Sequence, residues 1–98
     1  MILFTGREMS GGSGHEHVVR IWWRDTGNGT NGDMDIDTAT SWLDKPNNRA
    51  YVEDQARPGT FVEAGVVKPT HGRWYIRTYA DGRWTDNILA LPLRRKAA

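Results

Sequence analysis

Cysteine is absent from this chain of 98 residues. Disulfide bonds, thiolate metal ligands and cysteine nucleophiles are therefore excluded. Long apolar runs are missing as well: the run at the start, Met1-Ile2-Leu3-Phe4, is too short for a signal sequence or a membrane span. We accordingly expect a cytoplasmic protein that does not enter a membrane.

A large excess of positive charge is also lacking, since the formal net charge is +1. Dedicated duplex-binding domains are strongly basic, so this balance disfavours double-stranded DNA as a partner. Tryptophan, in contrast, is abundant, with five residues in the chain. Because Trp is rarely buried on every side, some indole surface should face solvent, a ligand or a partner. This surplus of aromatic surface favours a homo-oligomer.

Residues with clear catalytic or metal-binding roles are scarce. The serines lie in the glycine-rich start and in one predicted helix, without the spacing of a nucleophile elbow. The loop from Gly27 to Gly32 lacks the Lys-Ser/Thr of a phosphate-binding loop. Asp33-Met34-Asp35-Ile36-Asp37 is similar to the start of a calcium loop, but Thr38 replaces the required glycine. His15-Glu16-His17 has no third ligand. We predict a non-enzymatic protein without a metal or cofactor.

The clearest structural pattern is a β-hairpin around Asp81 and Gly82. Runs rich in aromatic and β-branched residues flank this pair, and both residue types tolerate the positive φ of a type I′ turn. With these two residues in the loop, the predicted cross-strand pairs are Ala80 with Arg83, Tyr79 with Trp84, Thr78 with Thr85, and Arg77 with Asp86.

Three further strands are predicted at residues 17–24, 49–54 and 60–68, and a short helix at residues 38–44, capped by Asp35 or Asp37. Trp42 and Leu43 are expected to hold this helix on the sheet. The predicted fold is therefore α+β: a small antiparallel sheet of four to five strands, one short helix and a C-terminal β-hairpin. Its organisation is a flexible or edge-strand segment over residues 1–16, one domain over 17–93 and a basic tail over 94–98.

A motif in the last quarter of the chain adds a family resemblance. The motif consists of Gly72, Tyr75-Ile76-Arg77-Thr78, Asp81-Gly82, Asp86-Asn87-Ile88-Leu89 and Leu91-Pro92. It resembles domain-of-unknown-function family 3892, which comprises short, mainly bacterial and phage sequences. The chain departs from the family in its Asn-Ile-Leu where Asn-Leu is usual, in its long glycine loop and in its Trp content. The resemblance implies a small α+β fold and no activity, since none is established for the family.

Cations and aromatic rings alternate on the predicted strands, and this alternation suggests a binding surface. Guanidinium groups pair with phosphates, and aromatic rings stack on bases. If the first strand and the hairpin are neighbours, both contribute to one face. We predict that this face binds an anionic nucleotide-like ligand, and the phage sequences in the family extend the hypothesis to a phage or prophage factor that sequesters a host signal. The predicted ligand-binding residues are Arg73, Tyr75, Arg77, Tyr79, Trp84, Arg20, Trp22 and Arg24.

Two alternatives stay open for the same residues. Arg77 can simply pair with Asp86, while the rings pack across the strands without binding a ligand. Trp, Tyr and Arg are also the residues enriched in the hot spots of protein interfaces. The second function predicted from the sequence is therefore a protein–protein interaction module that acts on a host or partner protein.

Overall fold

One mixed sheet organises the computed structural model of this chain, which describes residues 1–96. Within these residues the sheet has seven strands: β1 (Ile2–Met9), β2 (Val18–Asp25), β3 (Asn31–Asp35), β4 (Ala50–Glu53), β5 (Phe61–Val67), β6 (Tyr75–Ala80) and β7 (Arg83–Thr85). Their spatial order is β3-β2-β1-β4-β5-β6-β7. Neighbouring strands are antiparallel except β1 and β4, which are parallel. The α+β class is confirmed, but the prediction of four to five antiparallel strands understated the number of strands.

Residues 2–9 form an interior strand, whereas the sequence predicted a flexible or edge-strand segment over residues 1–16. β1 lies between β2 and β4 in the sheet. Leu3 and Phe4 are only 7% and 2% exposed, so the short apolar run belongs to the core. Register shifts between Phe4 and Gly6 and between Glu8 and Met9 interrupt the strand. These bulges break the alternation of polar and apolar residues from which a strand is predicted.

A second strand, β3, begins within the stretch that was predicted to be a loop. β3 forms the edge of the sheet beside β2 and includes Asn31 and Gly32 from the polar, glycine-rich stretch. Gly32 lies opposite Trp23, and a Cβ on Gly32 would lie 3.0 Å from Cζ2 of the indole. The glycine that suggested a loop therefore leaves space for a large side chain on the neighbouring strand.

The helix α1 (Ile36–Leu43) follows β3 directly and packs on one face of the sheet. Asp35, one of the two predicted caps, is the N-cap, and its Oδ1 accepts a hydrogen bond of 2.8 Å from Thr38 N. Leu43 is buried as expected, whereas Trp42 is only partly buried against the core. In residues 1–96, no helix has the length and apolar character needed to cross a bilayer.

The hairpin agrees with the prediction. Asp81 and Gly82 have φ values of 53° and 79°, as a type I′ turn requires. The pairs formed by residues 78–80 with residues 83–85 have the predicted register. Ile76 and Thr78 are 1% and 0% exposed, so their face of β6 is the one that meets the core.

The C-terminal segment fills the gap where β1 and β4 separate. These strands pair only at Ile2 with Ala50 and at Leu3 with Tyr51. Further along β1, Arg7 N donates to Pro92 O (3.0 Å), and Arg94 N donates to Arg7 O (2.8 Å).

The Arg7 side chain completes this connection. Its Nε donates to Ile88 O (3.2 Å) and its Nη2 donates to Leu89 O. Both acceptors belong to the 3₁₀ turn Asn87–Ala90. Ile88 O also accepts from Leu91 N (3.2 Å), whereas Arg7 is the donor to Leu89 O. Arg7 therefore joins β1 to the end of the fold through its backbone and its side chain.

Replacing Arg7 with leucine should lower the free energy of unfolding by about 1–3 kcal/mol, because the Leu89 carbonyl loses its donor and the Ile88 carbonyl keeps only the Leu91 amide. Urea unfolding followed by Trp fluorescence measures this loss. Arg57→Leu is the control, since the Arg57 side chain is 77% exposed, and its change should stay within about 0.5 kcal/mol. Equal losses in the two variants would contradict a special role for Arg7.

Candidate functional site

The predicted continuous Arg/Trp/Tyr surface is divided by the sheet topology. β2, which carries Arg20, Trp22 and Arg24, is separated from β6 by β1, β4 and β5. The condition for one shared face, that the first predicted strand and the hairpin are neighbours, is therefore not met. β2 pairs with β1 and β3 instead, because the first segment of the chain is a strand. The β2 residues and the hairpin residues must be treated as two separate groups.

The arginines of the hairpin group already have carboxylate partners. Arg77 Nη2 donates to Asp86 Oδ1 at 2.6 Å, which confirms the predicted cross-strand pair. Arg73 lies just before β6, and its Nε is 3.4 Å from Asp37 Oδ1 at the start of α1. Both ion pairs connect neighbouring parts of the fold. They give these two arginines a structural explanation that needs no ligand.

The aromatic residues of the hairpin group belong to two separate contacts. Tyr79 and Trp84 pack edge to face with ring centroids 5.2 Å apart, and they remain 46% and 40% exposed. Phe61 is 43% exposed. Phe61 lies two residues from Glu63, which pairs with Tyr79, so the three rings share one sheet face. We call Phe61, Tyr79 and Trp84 the outer patch.

Tyr75 belongs to a different contact, between the β1–β2 connection and β6. Its ring centroid lies 6.3 Å from that of His15. The His15 side chain is 12% exposed, and its Nε2 is 3.5 Å from Asp86 Oδ1. Burial lowers the pKa of His15 from its ordinary value of 6.5, and the nearby Arg77 charge lowers this pKa further. The Asp86 and Glu16 carboxylates raise the pKa of His15, but the net shift is still a lowering.

The β2 group lines a groove beside the sheet edge. This β2 groove has a volume of about 500 Å³ and includes two predicted residues, Trp22 and Arg24. The Arg94 guanidinium lies 4.8 Å from the centroid of the Trp22 ring, a cation–π contact. Arg24 is exposed and makes no ion pair within residues 1–96. The lining residues are Thr5, Trp22, Trp23, Arg24, Asn31, Gly32, Asp33 and Arg94.

The third predicted β2 residue, Arg20, neutralises the carboxylate of the groove. Arg20 Nη1 and Lys96 Nζ each donate to Asp33 Oδ2 at 2.8 Å. The hydrogen bond from Lys96, followed by the bond from Arg20, lowers the pKa of Asp33. Asp33 thus stays ionised with two cations beside it, and the charges of Arg24 and Arg94 remain available to a ligand.

The tail contributes site residues that the sequence analysis did not identify. Arg94 and Lys96 belong to the expected basic tail over 94–98, of which residues 97 and 98 lie outside the described residues. The tail reaches β2 because Leu93 bridges to Arg7 in the middle of the sheet. Its basic composition was the available signal, but its position depends on this long-range pairing. Across the described part of the chain, no three His, Asp or Glu side chains form a group that could hold a metal ion.

The fold and the groove define a small α+β protein with a candidate ligand site beside an edge of its sheet. Residues 7–92 match the family described as proteins of unknown function, DUF3892, and the chain belongs to this family. The resemblance seen in the last quarter of the sequence is thereby confirmed over most of the chain. No curated protein and no solved structure matches the chain.

Protonation of His15 should destabilise the fold, because its pKa is lower in the folded state than in the unfolded state. The free energy of unfolding should therefore decrease as the pH falls below 6.5, the ordinary value. Urea unfolding at about pH 7.5 and about pH 5.5 tests this in the parent chain and in His15→Asn. The variant should lose part of the pH dependence. His71→Asn, at an exposed turn position, is the control, and an equal effect there would contradict the assignment.

Proposed function

We propose that this protein is a non-enzymatic binder of a small anionic, base-bearing ligand such as a nucleotide, held in the β2 groove. The observation that carries the proposal is the presence of two arginines, Arg24 and Arg94, in one groove with the indole of Trp22. As a phage or prophage factor, the protein would withdraw such a ligand from the host cytoplasm and so blunt a signal.

The chemistry of the groove favours a phosphate group. Guanidinium groups bind phosphate oxygens through paired, charge-assisted hydrogen bonds. Arg94 is oriented by its contact with Trp22, while Arg24 has no carboxylate partner among the described residues. The Asp33 carboxylate is compensated by Arg20 and Lys96, so it repels an approaching anion less than a free carboxylate would.

The size and the lining of the groove also suit a base-bearing ligand. About 500 Å³ lies within the range of ordinary small-molecule pockets, roughly 300–1,000 Å³. Trp22 and Trp23 supply aromatic surface, and Asn31 supplies an amide that can donate and accept hydrogen bonds. Trp22 is 8% exposed, with Arg94 beside its ring. A base would therefore stack on the Arg94 guanidinium or replace it on the indole.

ATP serves as the probe, with adenosine and tripolyphosphate as its uncharged and base-free counterparts. Arg24→Gln and Arg94→Gln should each weaken ATP binding about tenfold or more, because each variant loses a charge-assisted contact. Isothermal titration calorimetry at several salt concentrations measures the affinities. Affinity for ATP should fall as salt rises.

Arg83→Gln is the matched control, since it removes the same charge from an exposed position in the distant strand β7. It should bind ATP as the parent chain does. Equal losses in all three variants, or binding that does not respond to salt, would contradict the proposed site. Absence of ATP binding together with a nucleotide-sized mass on the purified protein in native mass spectrometry would point to another nucleotide.

The outer patch supports a second candidate, a protein–protein interaction module that includes self-association. Phe61, Tyr79 and Trp84 expose 43%, 46% and 40% of their surface on one sheet face. Trp84 also lies against Gly65, where an added Cβ would be 3.2 Å from the indole. The ring is therefore held in place before any partner binds, which reduces the entropy cost of association.

If the outer patch joins two copies, Trp84→Ser should raise the dimer dissociation constant at least about tenfold, the usual effect of losing an aromatic hot spot. Native mass spectrometry over a concentration series measures this constant. Trp74→Ser is the control, because Trp74 is exposed to a similar extent, 38%, but lies outside the patch. A monomer at every concentration, or an unchanged dimer in Trp84→Ser, would exclude self-association through this patch.

A further inference from the structure

We infer a second ligand site, which binds a neutral, planar aromatic ring on the helix side of the sheet. A cavity of about 250 Å³ lies there between β3 and α1, lined by Ile2, Trp23, Asp33, Met34 and Trp42. We call it the Trp23–Trp42 cavity. Trp23 and Asp33 line both this cavity and the β2 groove, so the two lie next to each other.

The strand register places the cavity beside the core. Trp23 lies opposite Phe4 on β1, and Met34 lies opposite Ile21 on β2. Residues directly opposite each other share a sheet face, and Phe4 and Ile21 belong to the buried core that includes α1. Trp23, Met34 and Trp42 are partly buried hydrophobic residues packed against this core. The cavity is therefore an apolar opening at the rim of the core.

The two indoles are attached to well-fixed parts of the fold. The Trp23 ring crosses the backbone at Gly32, where no side chain could fit without displacing it. Trp42 lies in the last turn of α1, and its carbonyl accepts a hydrogen bond of 2.8 Å from Asn48 Nδ2. Both indoles also pack against the core, so the aromatic walls are positioned before a ligand arrives, which lowers the cost of binding.

The lining selects for a neutral ligand. Ile2, Trp23, Met34 and Trp42 carry no charge, and the Asp33 carboxylate is bound to Arg20 and Lys96. A cation would be attracted to the indole faces by cation–π interactions, but no lining residue offers it an uncompensated carboxylate. A neutral ring avoids the cost of desolvating a charge and gains contacts with both indoles.

The size of the cavity favours a ring over a long chain. An engineered apolar cavity of about 150 Å³ binds benzene, and this cavity is larger, at about 250 Å³. One ring or two fused rings would fill the space. The thioether of Met34 can adapt to the edge of such a ring.

Indole, unlabelled, is the probe for the ¹⁵N-labelled protein, and the Nε1–H signals of the tryptophans are the readout. Trp23 and Trp42 should show saturable shifts, while Trp74 and Trp84 should not change. Trp42→Ala should weaken indole binding at least tenfold because it removes one wall. Trp74→Ala is the matched control and should bind indole as the parent chain does.

Met34→Gln is a second variant in case Trp42→Ala does not fold. It keeps the length of the side chain but adds a polar amide, and it should also weaken indole binding. The proposal is overturned if no saturable shift occurs, if all five tryptophans shift alike, or if the folded cavity variants keep the parent affinity. Equal or tighter binding of tetramethylammonium would overturn the assignment to a neutral ring.

Discussion

The fold depends on the connection between β1 and the C-terminal segment. β1 and β4 share only two residue pairs, so most of this edge of β1 would otherwise lack backbone partners. Arg7 supplies an amide and a carbonyl to residues 92–94, and its guanidinium holds the carbonyls of Ile88 and Leu89. Ile88 is thereby kept in the core, where it is 0% exposed. Because Arg94 takes part in this pairing, the same connection places its guanidinium in the β2 groove.

The arginines of this protein divide into structural and available groups. Arg20, Arg73 and Arg77 each lie beside a carboxylate, and these pairs link different parts of the chain. Arg24 makes no such pair among the described residues, and Arg94 lies against an aromatic ring. A cation without a compensating anion can bind a ligand at a lower cost, since no existing ion pair must first break. The alternation of Arg and aromatic residues in the sequence does not reveal which arginines have a carboxylate partner and which do not.

Prediction from sequence succeeded where the deciding interactions are local. The hairpin at Asp81 and Gly82 and the cap at Asp35 depend on residues within a few positions of each other. It failed for β1, because bulges interrupt that strand. It failed also for β3, because Gly32, which leaves space for Trp23, is a residue typical of loops. For the candidate site, Trp22 and Arg24 were identified, but Asn31 and Arg94 were not. Asn31 reaches the groove through β3, which was expected to be a loop, and Arg94 reaches it through pairing with the distant strand β1.

The sequence alone determined the α+β class, the hairpin register, the ion pair of Arg77 with Asp86 and the membership in a family of unknown function. Turn chemistry and short-range pairing are sufficient for these features. The tertiary structure decided which aromatic and charged residues meet, because strand order is a property of the whole sheet. Once β1 separates β2 from β4, one predicted surface becomes a groove at β2 and a patch on β5, β6 and β7. No local pattern contains that information, since it arises from the pairing of β1 with β4, two strands that lie far apart in the sequence.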